Sequence, residues 1–173
     1  MSQPAPSTAE QLLAIEQIKR IKYKYAYSAN HHNWDDFAST FTPDAVFDEQ
    51  DFPIPRKPGT NEPVPSAAAT YLEAHTAGTH WPVIGRDAIR AQVATTRIDH
   101  TMVHHLFNPE VDLTSETTAT AVFRFESHHW LPTGEPVHYM HNFGSYHDTF
   151  VRLNDRNWYI KTLELKRNRV ECS

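Results

Sequence analysis

The sequence predicts an α+β fold, in which a curved and mostly antiparallel sheet wraps around a long N-terminal helix to form a cone-shaped barrel. Helical patterns fill the first part of the chain, and strand patterns follow one another in the second part. Helices segregated from a run of strands are typical of this fold class. The 173 residues are enough for one domain with a substantial core.

The chain begins with a polar stretch that precedes the first helix. We expect residues 1–8 to form a disordered tail and residues 9–173 to form a single domain. Ser7 or Thr8 can cap the first helix, because a side-chain oxygen can accept a backbone N–H at the helix start. The helix itself is predicted by apolar positions at helical spacing, namely Ile15, Ile18, Ile21, Tyr25 and Ala29.

A shorter helix at about 34–41 and a first strand at about 45–48 are expected next, since Pro43 disfavours helix before it. Residues 51–83 then differ from the rest of the chain. The stretch "DFPIPRKPGTNEPVP" is dense in proline, and "SAAATYLEAHTAG" has the pattern of a short helix. We expect a lid or an oligomer arm, because the segment carries Phe52, Tyr71, His75, His80 and Trp81.

The second half of the chain is predicted to be one helix followed by four strands. The helix is "GRDAIRAQVATTR", in which Ile89 and Val93 share a face. The turns "PTGEP" and "LNDRN" separate the later strands. The predicted strands cover about 101–113, 118–131, 137–153 and 157–169.

Composition and charge exclude several classes of function. The formal net charge of −5 argues against nucleic-acid binding, which needs a concentrated basic face. The chain lacks an apolar run of the ~18 residues that a membrane helix needs, and its start lacks the apolar core of a signal peptide. A single cysteine, Cys172, excludes an internal disulfide and fits a reducing compartment. We therefore expect a cytoplasmic protein without a membrane partner.

The 12 histidines pose the central question, because several stand in adjacent pairs on strands. Neighbouring side chains of a strand point to opposite faces, so one pair cannot place both rings in one pocket. In 118–131 the apolar face includes Phe125 and His129, which predicts that His129 points inward and His128 outward. In 101–108 both faces are apolar, so the pattern leaves the direction of His104 open. The histidines expected to be solvated or at interfaces are His31, His32, His105, His128 and His138.

Metal binding by inward histidines is the first alternative, since imidazole suits zinc or iron. The sequence has no H-E-x-x-H motif and no cysteine cluster, so we predict no metal ligand. It also has no glycine-rich phosphate loop and no G-x-S-x-G nucleophile motif.

The segment "AIEQIKRIKYKYAYSANHHNWDDFASTFTPDAVFD" resembles the opening of the SnoaL-like and scytalone dehydratase-like branch of the nuclear transport factor 2-like superfamily. That opening has a helix tyrosine, an acidic residue five positions later, and then "D-W-D" and "F-T-P-D-A". The stretches "GRDAIRAQV", "HHLFNPEVDL" and "GSYHDTFVRLNDRNWYIKTLELKRNRVE" continue the resemblance, which covers the chain apart from residues 51–83. The resemblance implies a conical pocket for small, often aromatic, molecules and chemistry without a cofactor.

The resemblance also implies which residues form the site. The helix tyrosine falls on Tyr25, and the pocket histidine falls on His104, four before Asn108. A second pocket histidine falls on His129, in agreement with the strand alternation. The pocket asparagine of scytalone dehydratase falls near His147, and the arginine of bile-acid dehydratases falls on Arg167.

One position departs from the family pattern. Asn30 stands where an acidic residue is expected, and an amide cannot take a proton at neutral pH. Asn30 therefore either positions the substrate only, or the chemistry differs from simple dehydration. Asp48 can supply the carboxylate, although a surface residue at a strand end is an equal alternative.

We expect a cofactor-independent lyase acting on a hydroxylated aromatic molecule, by loss of water or by C–C cleavage that releases formaldehyde, as in lignin-derived diarylpropane lyases. His104 would be the main acid/base, His129 its partner, Tyr25 a donor to a substrate oxygen and Arg167 the stabiliser of an anion. Phe125 and Trp130 can stack on the substrate or simply pack in the core. The residues expected to contact substrate are Asn30, Asp48, Asn108, Phe125, Trp130 and His147.

Two alternatives remain open at this stage. One is an isomerase of the ketosteroid type or a polyketide cyclase, and the other is a binding or association module without catalysis. The outer face of the sheet, with Arg124, Glu126 and His128, can pair subunits, and superfamily members are commonly dimers or trimers. We therefore expect a homo-oligomer.

Overall fold

A computed structural model describes residues 7–77, 80–132 and 134–173 of the chain. The helices are α1 (Thr8–Asn30), α2 (Trp34–Ala38), α3 (Ser66–Ala77) and α4 (Arg86–Thr96). The strands are β1 (Phe41–Asp48), β2 (Val83–Ile84), β3 (Thr101–Leu113), β4 (Thr118–Trp130), β5 (Tyr139–Arg152) and β6 (Trp158–Cys172). The predicted tail lies outside the described residues, except for Ser7 and Thr8.

The six strands form one sheet in the order β2-β1-β6-β5-β4-β3. All neighbouring strands are antiparallel except β1 and β6, which are parallel. Helix α1 lies against β3 and β6. Helix α2 packs between α1 and α4, and α4 packs against β1. This arrangement confirms the predicted α+β cone with its mostly antiparallel sheet on a long N-terminal helix.

Helix α1 begins where the sequence predicts, because Ser7 forms a capping box with Glu10. The Ser7 hydroxyl accepts the backbone N–H of Glu10 at 3.3 Å, and the Glu10 carboxylate accepts the backbone N–H of Ser7 at 2.8 Å. Ile18, Tyr25 and Ala29 of the predicted apolar stripe are buried. The pattern did not indicate that Lys22 would be fully buried on the same helix.

Strand β1 begins earlier than predicted, at Phe41 rather than near residue 45, and α2 ends earlier, at Ala38. The added part of β1 is irregular, because the pairing of β1 with β6 shifts register between Phe41 and Val46. Pro43 lies in this irregular part, where a strand can hold a proline without losing a ladder hydrogen bond.

The inner face of the sheet carries the core. In β4 buried and exposed positions alternate as predicted, with Phe123, Phe125 and His129 buried and Arg124 exposed. Inward side chains of β5 and β6 continue the core with large rings and aliphatic groups. Large and almost fully buried members of this face include Phe41, Phe47, Phe123, Tyr146, Phe150, Trp158, Ile160 and Leu163.

The proline-rich segment packs against the end of the sheet rather than extending away from it. Its backbone pairs with β6, since the N–H of Arg56 donates to Val170 at 2.9 Å and the N–H of Cys172 donates to Arg56 at 2.9 Å. A second apolar cluster joins the segment to β5 and β6, and it contains Val64, Ala68, Leu72, Val137, Val170 and Cys172.

Among the described residues no helix is both long enough and apolar enough to cross a membrane.

Candidate active site

A cavity of about 50 Å³ lies between α1 and the inner face of the sheet. Its polar lining includes His104, His129, Ser127, Asn142, Arg97 and Arg167. A second cavity, of about 60 Å³, adjoins the first and shares Glu49, Arg97, Met140 and Arg167 with it. The proline-rich segment closes this second cavity through Phe52, Tyr71, Leu72 and Trp81.

His104 is held by Asn30, the last residue of α1. The side-chain oxygen of Asn30 lies 3.0 Å from the backbone N of His104 and 2.7 Å from its ring Nδ1. A backbone N–H can only donate, so the amide oxygen faces His104 and the ring Nδ1 must carry a proton. The other ring nitrogen, Nε2, is therefore a proton acceptor.

The charge state of His104 follows from its surroundings. Burial, followed by the positive charges of Arg97, Lys22 and Arg167, lowers the pKa of His104 to about 3. At neutral pH the ring is thus uncharged, with a lone pair on Nε2. A neutral imidazole can accept a proton without first losing one.

His129 lies beside His104, with 5.5 Å between the ring centroids and 81° between the ring planes. Its Nε2 is 3.2 Å from the hydroxyl of Ser127, which also accepts a hydrogen bond from the amide of Asn142 at 3.1 Å. Burial lowers the pKa of His129 well below its usual value, and the repulsion that His129 would meet if both rings were protonated lowers it further. The two rings therefore form a neutral pair at neutral pH.

Three buried polar atoms of this cavity have no hydrogen-bond partner within residues 7–77, 80–132 and 134–173. They are Nδ1 of His129, Oδ1 of Asn142 and Nε of Arg167. Buried polar groups in folded proteins are almost always paired, by protein, water or ligand. A polar ligand group that formed hydrogen bonds with these unpaired atoms would therefore gain the most binding free energy.

Two arginines give the cavity a positive end. Arg167 donates through Nη1 to the backbone oxygens of Glu49 and Asp51, at 2.9 and 2.8 Å. The carboxylate of Glu49 lies 3.0 Å from Arg97 and 3.7 Å from Arg167. Among the charged side chains that line the cavity, one carboxylate faces two guanidinium groups, and this excess of positive charge favours an anionic group on a ligand.

Two tyrosines form part of the cavity wall, Tyr25 from α1 and Tyr146 from β5. Tyr25 is buried, and burial raises its pKa well above the usual value. Burial likewise raises the pKa of Tyr146, to which Tyr25 is hydrogen-bonded. Both hydroxyls therefore stay protonated. The Tyr25 hydroxyl donates to Tyr146, which leaves the Tyr146 hydroxyl free to donate to a bound molecule.

The structure brings together five of the residues that the sequence indicated. Tyr25, His104, Phe125, His129 and Arg167 all line the first cavity. The direction of His104, which the strand pattern left open, is inward. Asn30 is not in the cavity lining, but it contacts His104 directly.

Four expected substrate contacts need correction, because they lie outside both cavities. Trp130 is 45% exposed and stacks on His128 at the outer face, as the alternation that turns His129 inward requires. His147 lies on the same outer face, 3.0 Å from the hydroxyl of Ser145. Both were therefore assigned to the wrong side of the sheet.

Asn108 and Asp48 lie outside the cavities for other reasons. Asn108 is exposed and has a positive φ of 43°, at a register shift between β3 and β4 that ends the regular alternation. Asp48 accepts the backbone N–H of Gln50 at 2.9 Å, and it is the next residue, Glu49, that enters the cavity.

Sequence reasoning missed several residues of the site, namely Glu49, Arg97, Ser127, Asn142 and Tyr146. Alternation was sufficient to find two of them. Ser127 shares the inner face of β4 with His129, and counting back by twos from Tyr146 reaches Asn142. Arg97 follows α4 and has no comparable signal in the sequence.

Comparison with solved structures shows the same fold at low sequence identity. A structure from Novosphingobium aromaticivorans with the provisional name scytalone dehydratase is 20% identical, with a TM-score of 0.69, and the match covers 95% of this chain and 90% of that chain. A hexachlorocyclohexane dehydrochlorinase, LinA-type3 from Novosphingobium barchaimii, is 12% identical with a TM-score of 0.68, over 96% and 94%. A structure from Novosphingobium aromaticivorans with the provisional name aromatic ring hydroxylase is 17% identical with a TM-score of 0.69, over 94% of each chain.

Comparison at the level of sequence identifies the family. None of the curated proteins matches the chain. The sequence model of the SnoaL-like domain matches residues 10–164, which is most of the chain and includes the histidines of the cavity. The chain therefore belongs to the SnoaL-like domain family.

Proposed function

We propose that this protein is a cofactor-independent lyase that acts on a hydroxylated aromatic small molecule. The observation that carries the proposal is the pairing of His104 with Asn30, which leaves Nε2 of a neutral, partly buried imidazole as a base. The positive end of the cavity, with Arg97 and Arg167, lies next to that base. A base beside a site for negative charge is what elimination requires.

In the proposed reaction His104 takes a proton from the substrate through Nε2. The electron pair left behind moves into the conjugated system, where Arg167 and Arg97 stabilise the developing enolate or phenolate. The protonated His104, with His129 as its partner, then delivers the proton to the departing hydroxyl, which leaves as water. Elimination is also the reaction named for two of the structurally similar proteins, a dehydratase and a dehydrochlorinase.

Carbon–carbon cleavage is a variant of the same scheme. In this variant a benzylic hydroxyl first leaves as water, which converts the phenolate into a quinone-methide-like intermediate. His104 then takes the O–H proton of a neighbouring hydroxymethyl group, the bond between that carbon and its neighbour breaks, and formaldehyde leaves. The electrons of the broken bond then convert a quinone-methide-like intermediate into a phenolate. The arginines would stabilise this phenolate as well.

The small volume of the two cavities implies that part of the protein moves when substrate binds. The two cavities, about 50 and 60 Å³, are each smaller than the cavity of about 150 Å³ that admits benzene in another protein. Phe52, Tyr71, Leu72 and Trp81 of the proline-rich segment close the outer cavity, and the ring of Phe52 lies 5.3 Å from the guanidinium of Arg167. We propose that this segment is a lid that opens to join the cavities.

The test is a mass-spectrometric screen of chelator-treated protein against hydroxylated mono- and diaryl compounds. The expected result is loss of water or of formaldehyde from at least one compound, with turnover abolished in His104→Gln. The matched control is His147→Gln, which removes a histidine from the outer face of the same sheet. Activity that survives in His104→Gln would contradict the assigned base.

A second reaction is supported by the same geometry. Proton transfer from one carbon to another needs the same neutral base and the same stabilisation of an enolate, and it leaves the mass unchanged. Exchange of substrate protons with deuterated solvent, followed by NMR and lost in His104→Gln, would favour an isomerase over a lyase.

A further inference from the structure

The outer face of the sheet carries a cluster of metal-ligating side chains that the proposed reaction does not use. His105 comes from β3, Glu126 and His128 come from β4, and His141 comes from β5. The strand register explains the cluster, because His105 pairs across strands with Glu126 and His128 pairs with His141. All four lie on the face opposite to the cavity, since the inward positions of β4 are Phe125, Ser127 and His129.

The distances within the cluster are close to those of a metal site. Nδ1 of His105 lies 3.0 Å from Oε1 of Glu126, and Nε2 of His128 lies 4.0 Å from the same oxygen. One ligand atom from each of these three residues lies within 4.8 Å of the others. Ligands about 2.1 Å from a tetrahedral zinc ion lie roughly 3.4 Å apart, so small side-chain rotations would complete the site.

Neighbouring groups already orient two of these ligands. Nδ1 of His128 is hydrogen-bonded to the hydroxyl of Tyr139 at 2.5 Å, which leaves Nε2 on the side of Glu126. Nε2 of His141 lies 3.2 Å from the second carboxylate oxygen of Glu126. Hydrogen bonds of this kind to the far side of a ligand are usual around protein metal ions.

Exposure leaves room for an ion. The side chain of His105 is 50% exposed and that of Glu126 is 29% exposed, so an ion and its remaining water ligands can reach the cluster. Two imidazoles and one carboxylate suit zinc and related divalent transition ions better than calcium or magnesium, which prefer oxygen ligands alone.

We propose that His105, Glu126 and His128 bind a divalent transition-metal ion of the zinc class on the outer face of the sheet. His141 is a positioning residue that holds the Glu126 carboxylate. His105 lies 21 positions before Glu126, on a different strand, and Glu126 lies 2 positions before His128. This spacing matches no local metal-binding motif. The site is separate from the cavity and does not depend on the function proposed for it.

The test is calorimetric titration of untagged, chelator-treated protein with zinc chloride. One ion per chain is expected. Glu126→Gln and His128→Gln should each weaken binding about a hundredfold or more, and His141→Gln by about tenfold. The matched control is His147→Gln, a histidine on the same face outside the cluster, which should bind zinc as the wild type does.

Two further measurements keep loss of folding apart from loss of a ligand. Melting temperatures without zinc should agree among the variants, because the cluster is partly exposed. Zinc should raise the melting temperature of the wild type and of His147→Gln, raise that of His141→Gln less, and leave that of Glu126→Gln and His128→Gln nearly unchanged. Cobalt should produce visible absorption bands in the wild type that disappear in His128→Gln. Equal zinc affinity in the wild type and Glu126→Gln, or no binding to the wild type, would overturn the proposal.

Discussion

Asn30 accepts two hydrogen bonds from one residue, the backbone N–H of His104 at 3.0 Å and its ring Nδ1 at 2.7 Å. The resemblance predicted a carboxylate at this position. A carboxylate would stabilise the protonated imidazole, whereas an amide orients the ring and adds no charge. Consequently burial and the nearby cations decide the pKa of His104, which is about 3.

So low a pKa favours a substrate that carries negative charge. An anion bound beside Arg97 and Arg167 would offset the two charges that help to lower the pKa of His104. The base would then become stronger only when substrate is bound. This is the physical reason for proposing a phenol, rather than a neutral alcohol alone, as the substrate.

A carboxylate at position 30 should raise the pKa of His104. In Asn30→Asp a negative charge would lie within hydrogen-bond distance of Nδ1, and the pKa of His104 should rise by at least about one unit. NMR titration of the His104 ring measures this directly, and the acid limb of the rate profile should move to higher pH. Asn30→Gln is the control without charge. An unchanged pKa in Asn30→Asp would show that the amide does not set the charge state.

Stability should depend on pH in the direction that buried neutral histidines dictate. The pKa of His104 is about 3 in the folded protein and near 6.5 when unfolded. Below pH 6.5 the unfolded chain therefore binds a proton that the folded chain does not. As the pH is lowered from 6.5 to about 3, the free energy of unfolding decreases.

The size of that loss can be measured. His104 alone should make the free energy of unfolding about 2 kcal/mol lower at pH 5 than at pH 7.5, because each pH unit below the unfolded pKa lowers it by ~1.4 kcal/mol. His129, whose pKa is also held down by burial, should add to the loss. Urea unfolding at both pH values gives the difference, and His104→Gln should reduce it. An equal pH dependence in that variant would contradict the assignment.

Local patterns predicted the elements and one wall of the site, but not its long-range pairs. Alternation on β4 was enough to turn His129 inward, and the same rule applied to Trp130 would have placed that ring outside. Lys22 and Asp148 are 126 positions apart, so neither residue's surroundings in sequence indicate the other. The register shift at Asn108 and the position of Arg97 after α4 likewise depend on tertiary packing.

The Lys22–Asp148 pair should behave as a buried ion pair. The two charged groups are 2.8 Å apart and fully buried, with Nζ of Lys22 3.6 Å from the ring centroid of Tyr146. Asp148→Leu leaves a buried ammonium group without its carboxylate and should lower the free energy of unfolding by about 3–5 kcal/mol. Urea unfolding followed by circular dichroism measures the change.

Two further variants separate charge from packing at this pair. Lys22→Met combined with Asp148→Leu removes both charges and should recover most of the lost stability. Lys19→Met breaks the exposed Lys19–Glu16 pair and should have a much smaller effect than Asp148→Leu. A double variant no more stable than Asp148→Leu would show that shape, rather than the unpaired charge, causes the loss.

Gly144 connects the sheet to the positive end of the cavity. It pairs across strands with Arg167, at a register shift between β5 and β6. A Cβ atom added at Gly144 would lie 2.0 Å from the backbone oxygen of Lys166 and 3.0 Å from Cα of Arg167. Both contacts are with backbone, which cannot rotate away, so β6 would have to shift where it presents Arg167.

Gly144→Ala should therefore affect both stability and ligand binding. We expect a loss of about 1–3 kcal/mol in the free energy of unfolding, as for other overpacked sites, together with weaker binding of a phenolic ligand. Thermal unfolding and a ligand titration measure the two effects. Ser145→Ala, at the next position but on the outer face, is the matched control and should change neither strongly. If Gly144→Ala bound ligand as the wild type does, the approach of β5 to β6 would not control the position of Arg167.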